Sequence, residues 1–128
     1  MAHATATIGT TNYAVAITAG SHRLGADEHA ELGGKNTGPA PYELLCAALG
    51  ACTTITLRMY AERKQWPLRG VQADVHFARH GTEAAITRVL RFDGELDDAQ
   101  RARLADIAER TPVTLTLKHG LTITTTLA

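Results

Sequence analysis

The spacing of apolar and polar positions changes period several times along the chain, and each change predicts an element. Ala4-Thr5-Ala6-Thr7-Ile8 alternates, Gly9-Thr10-Thr11-Asn12 supplies turn residues, and Tyr13-Ala14-Val15-Ala16-Ile17 reads as a returning strand. Gly20-Ser21 predicts a second turn, and His22 to Ala26 a short third strand. Asp27 to Pro41 holds Gly33-Gly34, Lys35-Asn36, Gly38 and two prolines, which predicts a loop. Loops of that length often carry function. From Tyr42 to about Arg63 the spacing is helical, with Pro41 suited to the start and Glu43 to the first turn. Leu44, Leu45, Cys46, Ala47, Ala48, Leu49, Ala51 and Cys52 cover nearly every face, the pattern of a buried helix. Polarity returns only at Arg58, Glu62, Arg63 and Lys64. So small a chain struggles to surround such a helix, which predicts that a partner subunit covers part of it.

Val71 to Ala78 alternates again as a half-buried strand, and His80-Gly81-Thr82-Glu83 turns into a strand from Ala85 to Phe92 with Ile86, Val89, Leu90 and Phe92. Asp97 is a good N-cap for a second helix to about Arg110, whose stripe is Leu104, Ile107 and Ala108. Thr111-Pro112 ends it, and Leu121 to Leu127 predicts a final strand. The order βββ, long α, ββ, α, β predicts an α+β fold with antiparallel pairing, in one domain over residues 1–128.

Composition narrows the function classes. Apolar residues at 45% and charged residues at 20% exclude disorder as the main state. Thirteen Lys+Arg against thirteen Asp+Glu leave no basic excess for capturing nucleic acid, and zero net charge opposes self-association little. The first residues, Met1-Ala2-His3-Ala4-Thr5, lack the basic start and apolar core of a signal peptide. The longest near-apolar run, Leu44 to Leu57, is short for a membrane span and contains Thr53, Thr54 and Thr56. A cytoplasmic chain without a membrane or nucleic-acid partner is the expectation.

Cys46 and Cys52 are the only cysteines. On one helix they lie about 9 Å apart along the axis, beyond the roughly 7 Å that a disulfide spans. Free thiols suit a reducing compartment. A reactive thiol needs a cation, a metal or a helix N-terminus beside it. Cys52 lies deep in its own helix, and its same-face neighbours Ala48, Leu49, Ile55 and Thr56 carry no charge. Any activating group must come from another segment or subunit. Otherwise Cys52 is a small core hydrophobe, the role that also suits Cys46. Glu43 either stabilises the helix start or orients a guanidinium or a substrate proton, and it lies about 13 Å along the helix from Cys52. The six histidines show no metal spacing, no phosphate-binding glycine loop is present, and the sole serine, Ser21, sits in a turn. No metal and no cofactor is expected.

The run Gly38-Pro39-Ala40-Pro41-Tyr42-Glu43-Leu44-Leu45, followed by Ala47-Ala48-Leu49-Gly50-Ala51-Cys52-Thr53, resembles the OsmC/Ohr family. Supporting stretches are Leu57 to Lys64 with Trp66-Pro67-Leu68, Gly94-Glu95-Leu96-Asp97, and Arg110-Thr111-Pro112-Val113, and the likeness spans about residues 13 to 127. The resemblance implies an α+β fold, with antiparallel sheets wrapped around two central helices in an intertwined homodimer. It also implies thiol-dependent reduction of organic hydroperoxides, with a peroxide and an external thiol as small-molecule partners. Cys52 matches the peroxidatic cysteine, whose sulfenic acid a second cysteine would resolve. Thr111 stands where that resolving cysteine would fall, so the resemblance implies a one-cysteine mechanism. The family's glutamate slot after the proline holds Tyr42, with Glu43 one later. The family's arginine lies in the first hairpin turn, which here is uncharged, and Arg23 is the only arginine before the long helix. The resemblance thus implies Cys52 and Glu43 as catalytic residues and Tyr42, Thr111 and Arg23 as substrate contacts. The alternative is a non-catalytic member of the fold that binds an apolar small molecule at the dimer interface.

Overall fold

Three short strands open the chain: β1 Ala4–Ile8, β2 Val15–Ala19 and β3 His22–Ala26. They pair antiparallel in the order β1-β2-β3, with Ile17 opposite both Ala6 and Leu24. β1 and β3 keep the predicted bounds, while β2 lies two residues later than the predicted Tyr13 to Ile17, because the Ala14 N–H bonds to the Thr11 carbonyl and extends the turn. The computed structural model describes residues 1–128, which form two compact units, Met1–Leu45 and Cys46–Ala128.

In the first unit the predicted loop is organised around one carboxylate. Asp27 is buried and accepts five hydrogen bonds, from the backbone N–H groups of Tyr13 (3.1 Å), Glu28 (2.7 Å), Lys35 (3.3 Å) and Thr37 (3.0 Å) and from the Thr37 hydroxyl (2.6 Å). A buried charge is tolerated when its lone pairs are all used in this way. The Thr37 hydroxyl and N–H, ahead of the Glu28 and Tyr13 amides, hold the carboxyl far below the usual carboxylate range. Gly34 is required here, since a Cβ would run into the Glu28 carbonyl.

Helix α1, Pro41–Lys64, opens in the first unit and continues through the second. In the second unit follow β4 Leu68–His80, β5 Glu83–Gly94, α2 Asp98–Ala108 and α3 Pro112–His119. β4 and β5 form an antiparallel hairpin, and Gly81 takes the positive φ (65°) of its tight turn. Leu57, Ala61, Leu68, Leu104 and Ala108 make the buried centre, with Tyr60, Trp66, Val71, Leu90, Phe92, Leu96 and Ile107 packed around it. Asp97 caps α2 by accepting from Gln100 N–H (2.7 Å) while the Gln100 side chain accepts from Asp97 N–H (2.9 Å).

The α+β class and the antiparallel pairing agree with the sequence reading, and four details differ. First, there are three helices. Thr111-Pro112 does end α2, but proline is also well suited to a first helical turn, so the pair begins α3. Second, Leu121 to Leu127 is not a strand in this chain, because no neighbouring strand supplies its ladder of hydrogen bonds. Third, α1 is not buried all round. One stripe of i, i+4 residues, Leu49, Thr53, Leu57 and Ala61, faces the core, while Ile55 and Met59 are exposed. Fourth, the 14-residue apolar run understates α1. The helix has 24 residues and is long and apolar enough, by length and composition alone, to cross a membrane.

Candidate functional site

Strand periodicity builds the site from β5. Ile86, Leu90 and Phe92 lie on its half-buried face, so period two also places Arg88 on that face and Val89 outside. The sequence reading counts Val89 among the apolar strand residues; the structure exposes it and turns Arg88 inward.

The Arg88 side chain is 10% exposed, and both of its terminal nitrogens are partnered. Nη1 donates to the hydroxyls of Thr53 (2.9 Å) and Thr114 (3.0 Å), and Nη2 to the Ala108 carbonyl (2.9 Å) and Glu109 Oε2 (3.1 Å). Thr53 and Thr114 are themselves buried, and Thr53 also donates to the Leu49 carbonyl (2.7 Å). Lys118 reaches Glu109 Oε1 at 3.1 Å. Lys118 first, and Arg88 after it, hold the Glu109 carboxyl below its usual range.

Cys52 lies one residue before Thr53 on α1 and is half-buried. Its sulfur accepts the backbone N–H of Val113 at 3.5 Å and lies 4.0 Å from the Thr56 hydroxyl. Val113 is the second residue of α3, where an N–H has no acceptor within its own helix. The positive end of the α3 dipole therefore meets the sulfur, a contact that strengthens as the sulfur gains negative charge. The donor at the sulfur comes from another segment, and it is a backbone amide and not an arginine. No cation is hydrogen-bonded to the sulfur in this chain.

The remaining sequence candidates are placed as follows. Thr111, the N-cap residue of α3, is fully buried, and its hydroxyl is 2.6 Å from that of Thr114. Tyr42, Glu43 and Arg23 lie in the first unit, with Cys52 and Thr111 in the second. Glu43 accepts the Ala40 N–H at 2.8 Å, the bond of a helix-start carboxylate, and lies 3.6 Å from His29. Tyr42 is exposed in the first turn of α1, and Arg23 is exposed on β3 opposite Thr18. Cys46 and Cys52 are both free. A cleft of about 500 Å³ in the second unit has Leu49, Phe77, Ile86, Leu117, Arg88 and Thr114 among its walls; Cys52 does not line it.

Within the second unit Cys52 of α1 thus meets the amino end of α3. The OsmC-like protein family model matches residues 34–126. The chain belongs to that family. Among solved structures this family member is similar to an OsmC-like protein from Mycoplasma pneumoniae (17% identity, TM-score 0.79, covering 92% of this chain and 87% of that one). It is also similar to an organic hydroperoxide resistance protein OsmC from Legionella pneumophila (20% identity, TM-score 0.69, 92% and 89% covered). A third is the organic hydroperoxide resistance protein OhrB of Bacillus subtilis (22% identity, TM-score 0.63, 91% and 90% covered). A search of curated proteins gives no match. At these identities the likeness to solved structures concerns the fold.

Arg88, Val113 and Thr114 are the site residues that sequence reasoning misses. Arg88 was legible from strict alternation through Ile86, Leu90 and Phe92. The start of α3 was legible from Thr111-Pro112, with Gly120 as its stop. The meeting of Val113 with Cys52 had no local signal.

Proposed function

We propose that this OsmC-like protein is a thiol-dependent organic hydroperoxide reductase in which Cys52 is a one-cysteine peroxidatic thiol. The observation that carries this reading is the Val113 N–H on the sulfur of a half-exposed cysteine, at the position where the family motif places its reacting thiol. The Cys52 thiolate attacks the terminal peroxide oxygen of ROOH. The O–O bond breaks, the sulfur becomes a sulfenic acid, and the departing alkoxide takes a proton to give ROH. With threonine at 111 and Cys46 too far along the same helix, no cysteine of this chain resolves that acid. An external thiol condenses with it and releases water, and a second thiol frees Cys52 from the mixed disulfide. Free thiols and this dependence on small-molecule reductant fit a cytoplasmic setting.

In this reading Glu43, Tyr42 and Arg23 act as the resemblance implies, Glu43 by orienting a guanidinium or a substrate proton and the other two as substrate contacts, in an assembly of two copies. The support for a homodimer is apolar surface that one chain leaves uncovered. Ile55 and Met59 of α1 are exposed, and Leu121, Ile123 and Leu127 form an exposed alternating run with a strand's spacing. Such a run completes its hydrogen bonds on the strand edge of a second copy.

The test is consumption of an organic hydroperoxide with a dithiol reductant, comparing the parent with Cys52→Ser. Loss of turnover in the variant is expected, and equal rates overturn the reading. The cleft walled by Leu49, Phe77, Ile86 and Leu117 favours one second reading, a non-catalytic binder of an apolar small molecule. A retained apolar ligand in native mass spectrometry, without hydroperoxide turnover, would establish it.

A further inference from the structure

We propose that Arg88 is a positioning residue for Cys52, the brace that sets the contact between its sulfur and the Val113 N–H; this rests on the reading of Cys52 as the reacting thiol. Arg88 occupies an inner-row position of β5 opposite Val75, between Ile86 and Leu90, where the strand pattern calls for an apolar side chain. A guanidinium held there is desolvated and must be matched donor by donor. What it is matched to is specific. Thr53 is the immediate successor of Cys52, and Thr114 the immediate successor of Val113. A single nitrogen, Nη1, binds both hydroxyls, at 2.9 and 3.0 Å. It therefore ties together the two backbone positions adjoining the two partners of the sulfur contact.

The second nitrogen completes the brace. Nη2 holds the Ala108 carbonyl and Glu109 at the end of α2, from which Arg110 and Thr111 lead directly into α3. Thr111 and Thr114 then join each other at 2.6 Å across the first turn of α3. Three helices are thus referred to one planar group on the sheet. Hydrogen bonds weaken steeply with distance and angle, so at 3.5 Å the amide contact to sulfur is sensitive to any slip of α3 against α1. A lysine ammonium cannot replace the fixed fork of a guanidinium at such a junction.

The experiment uses the full chain with Cys46→Ser, which leaves Cys52 as the single thiol, and measures its alkylation rate by iodoacetamide at one neutral pH. Thr114→Val keeps the shape but removes the hydroxyl, Thr114→Ser keeps the hydroxyl, and Arg88→Met removes the brace. Thermal melting accompanies each variant. Thr114→Val and Arg88→Met are expected to alkylate about tenfold more slowly, the effect of losing one hydrogen bond to a charged group, with Thr114→Ser restoring the parental rate. A folded Thr114→Val that alkylates at the parental rate or faster overturns the proposal, and this variant decides even if Arg88→Met does not fold. Alkylation needs no peroxide, so the two readings fail separately. The expected pattern without hydroperoxide consumption would remove the catalytic reading and leave the brace standing.

Discussion

The Val113 N–H meets the Cys52 sulfur at 3.5 Å across a separation of 61 residues. That contact supplies what α1 lacks. Cys52 is far from the amino end of its own helix, yet it sits at the amino end of another. The first hairpin turn carries no charge, and the donor that meets the sulfur is a backbone amide.

Arg88 is expected to matter for stability as well as for the site. In Arg88→Met the Ala108 carbonyl loses a buried donor and three side chains lose a partner. A loss of about 2–3 kcal/mol is expected, the cost of leaving buried polar groups unsatisfied. Urea unfolding checks it, and a change under about 0.5 kcal/mol would show that the network relaxes freely.

The packed centre predicts a larger effect with a different cause. Leu57 and Leu104 are both fully buried in one cluster. Leu57→Ala or Leu104→Ala should lose about 3–4 kcal/mol through transfer and cavity terms together, measured by denaturant midpoint at constant slope. The double variant should lose less than the sum if the neighbours share one cavity.

Asp27 predicts a pH dependence with a definite sign. Its carboxyl is depressed in the folded protein, chiefly by the Thr37 hydroxyl. A depressed folded value stabilises the fold above the ordinary carboxylate range, and that contribution fades as pH falls through about 4 toward the folded value. Asp27→Asn should therefore be less stable than the parent at pH 7, with the gap narrowing below pH of about 4. Unfolding measured at both pH values tests this, and a gap that is constant or widens in acid contradicts it.

The uncovered apolar surface predicts association. Ile123 is 85% exposed in the alternating run near the end of the chain. If that run pairs with a second copy, Ile123→Lys should shift light scattering from dimer mass to monomer mass. A parent that is monomeric at micromolar concentration removes the dimer from the functional reading.

The sequence by itself determined what local spacing encodes. Alternation set β1, β2, β4 and β5, the Gly20-Ser21 turn set β3, Asp97 set the start of α2, and proline with its following apolar residues set α1 and the position of Cys52 on it. Each such signal joins residues a few positions apart, so a single stretch of chain is enough to reveal it. Even the start of α3 was written in Thr111-Pro112, although one proline serves equally well to stop a helix and to begin one. Only the tertiary structure decided which donor reaches the sulfur, that Arg88 binds the neighbours of both Cys52 and Val113, and that Asp27 gathers the loop around itself. Those relations join segments many residues apart. Their partners are chosen by packing and by the need to satisfy buried polar groups, and no local pattern carries that information.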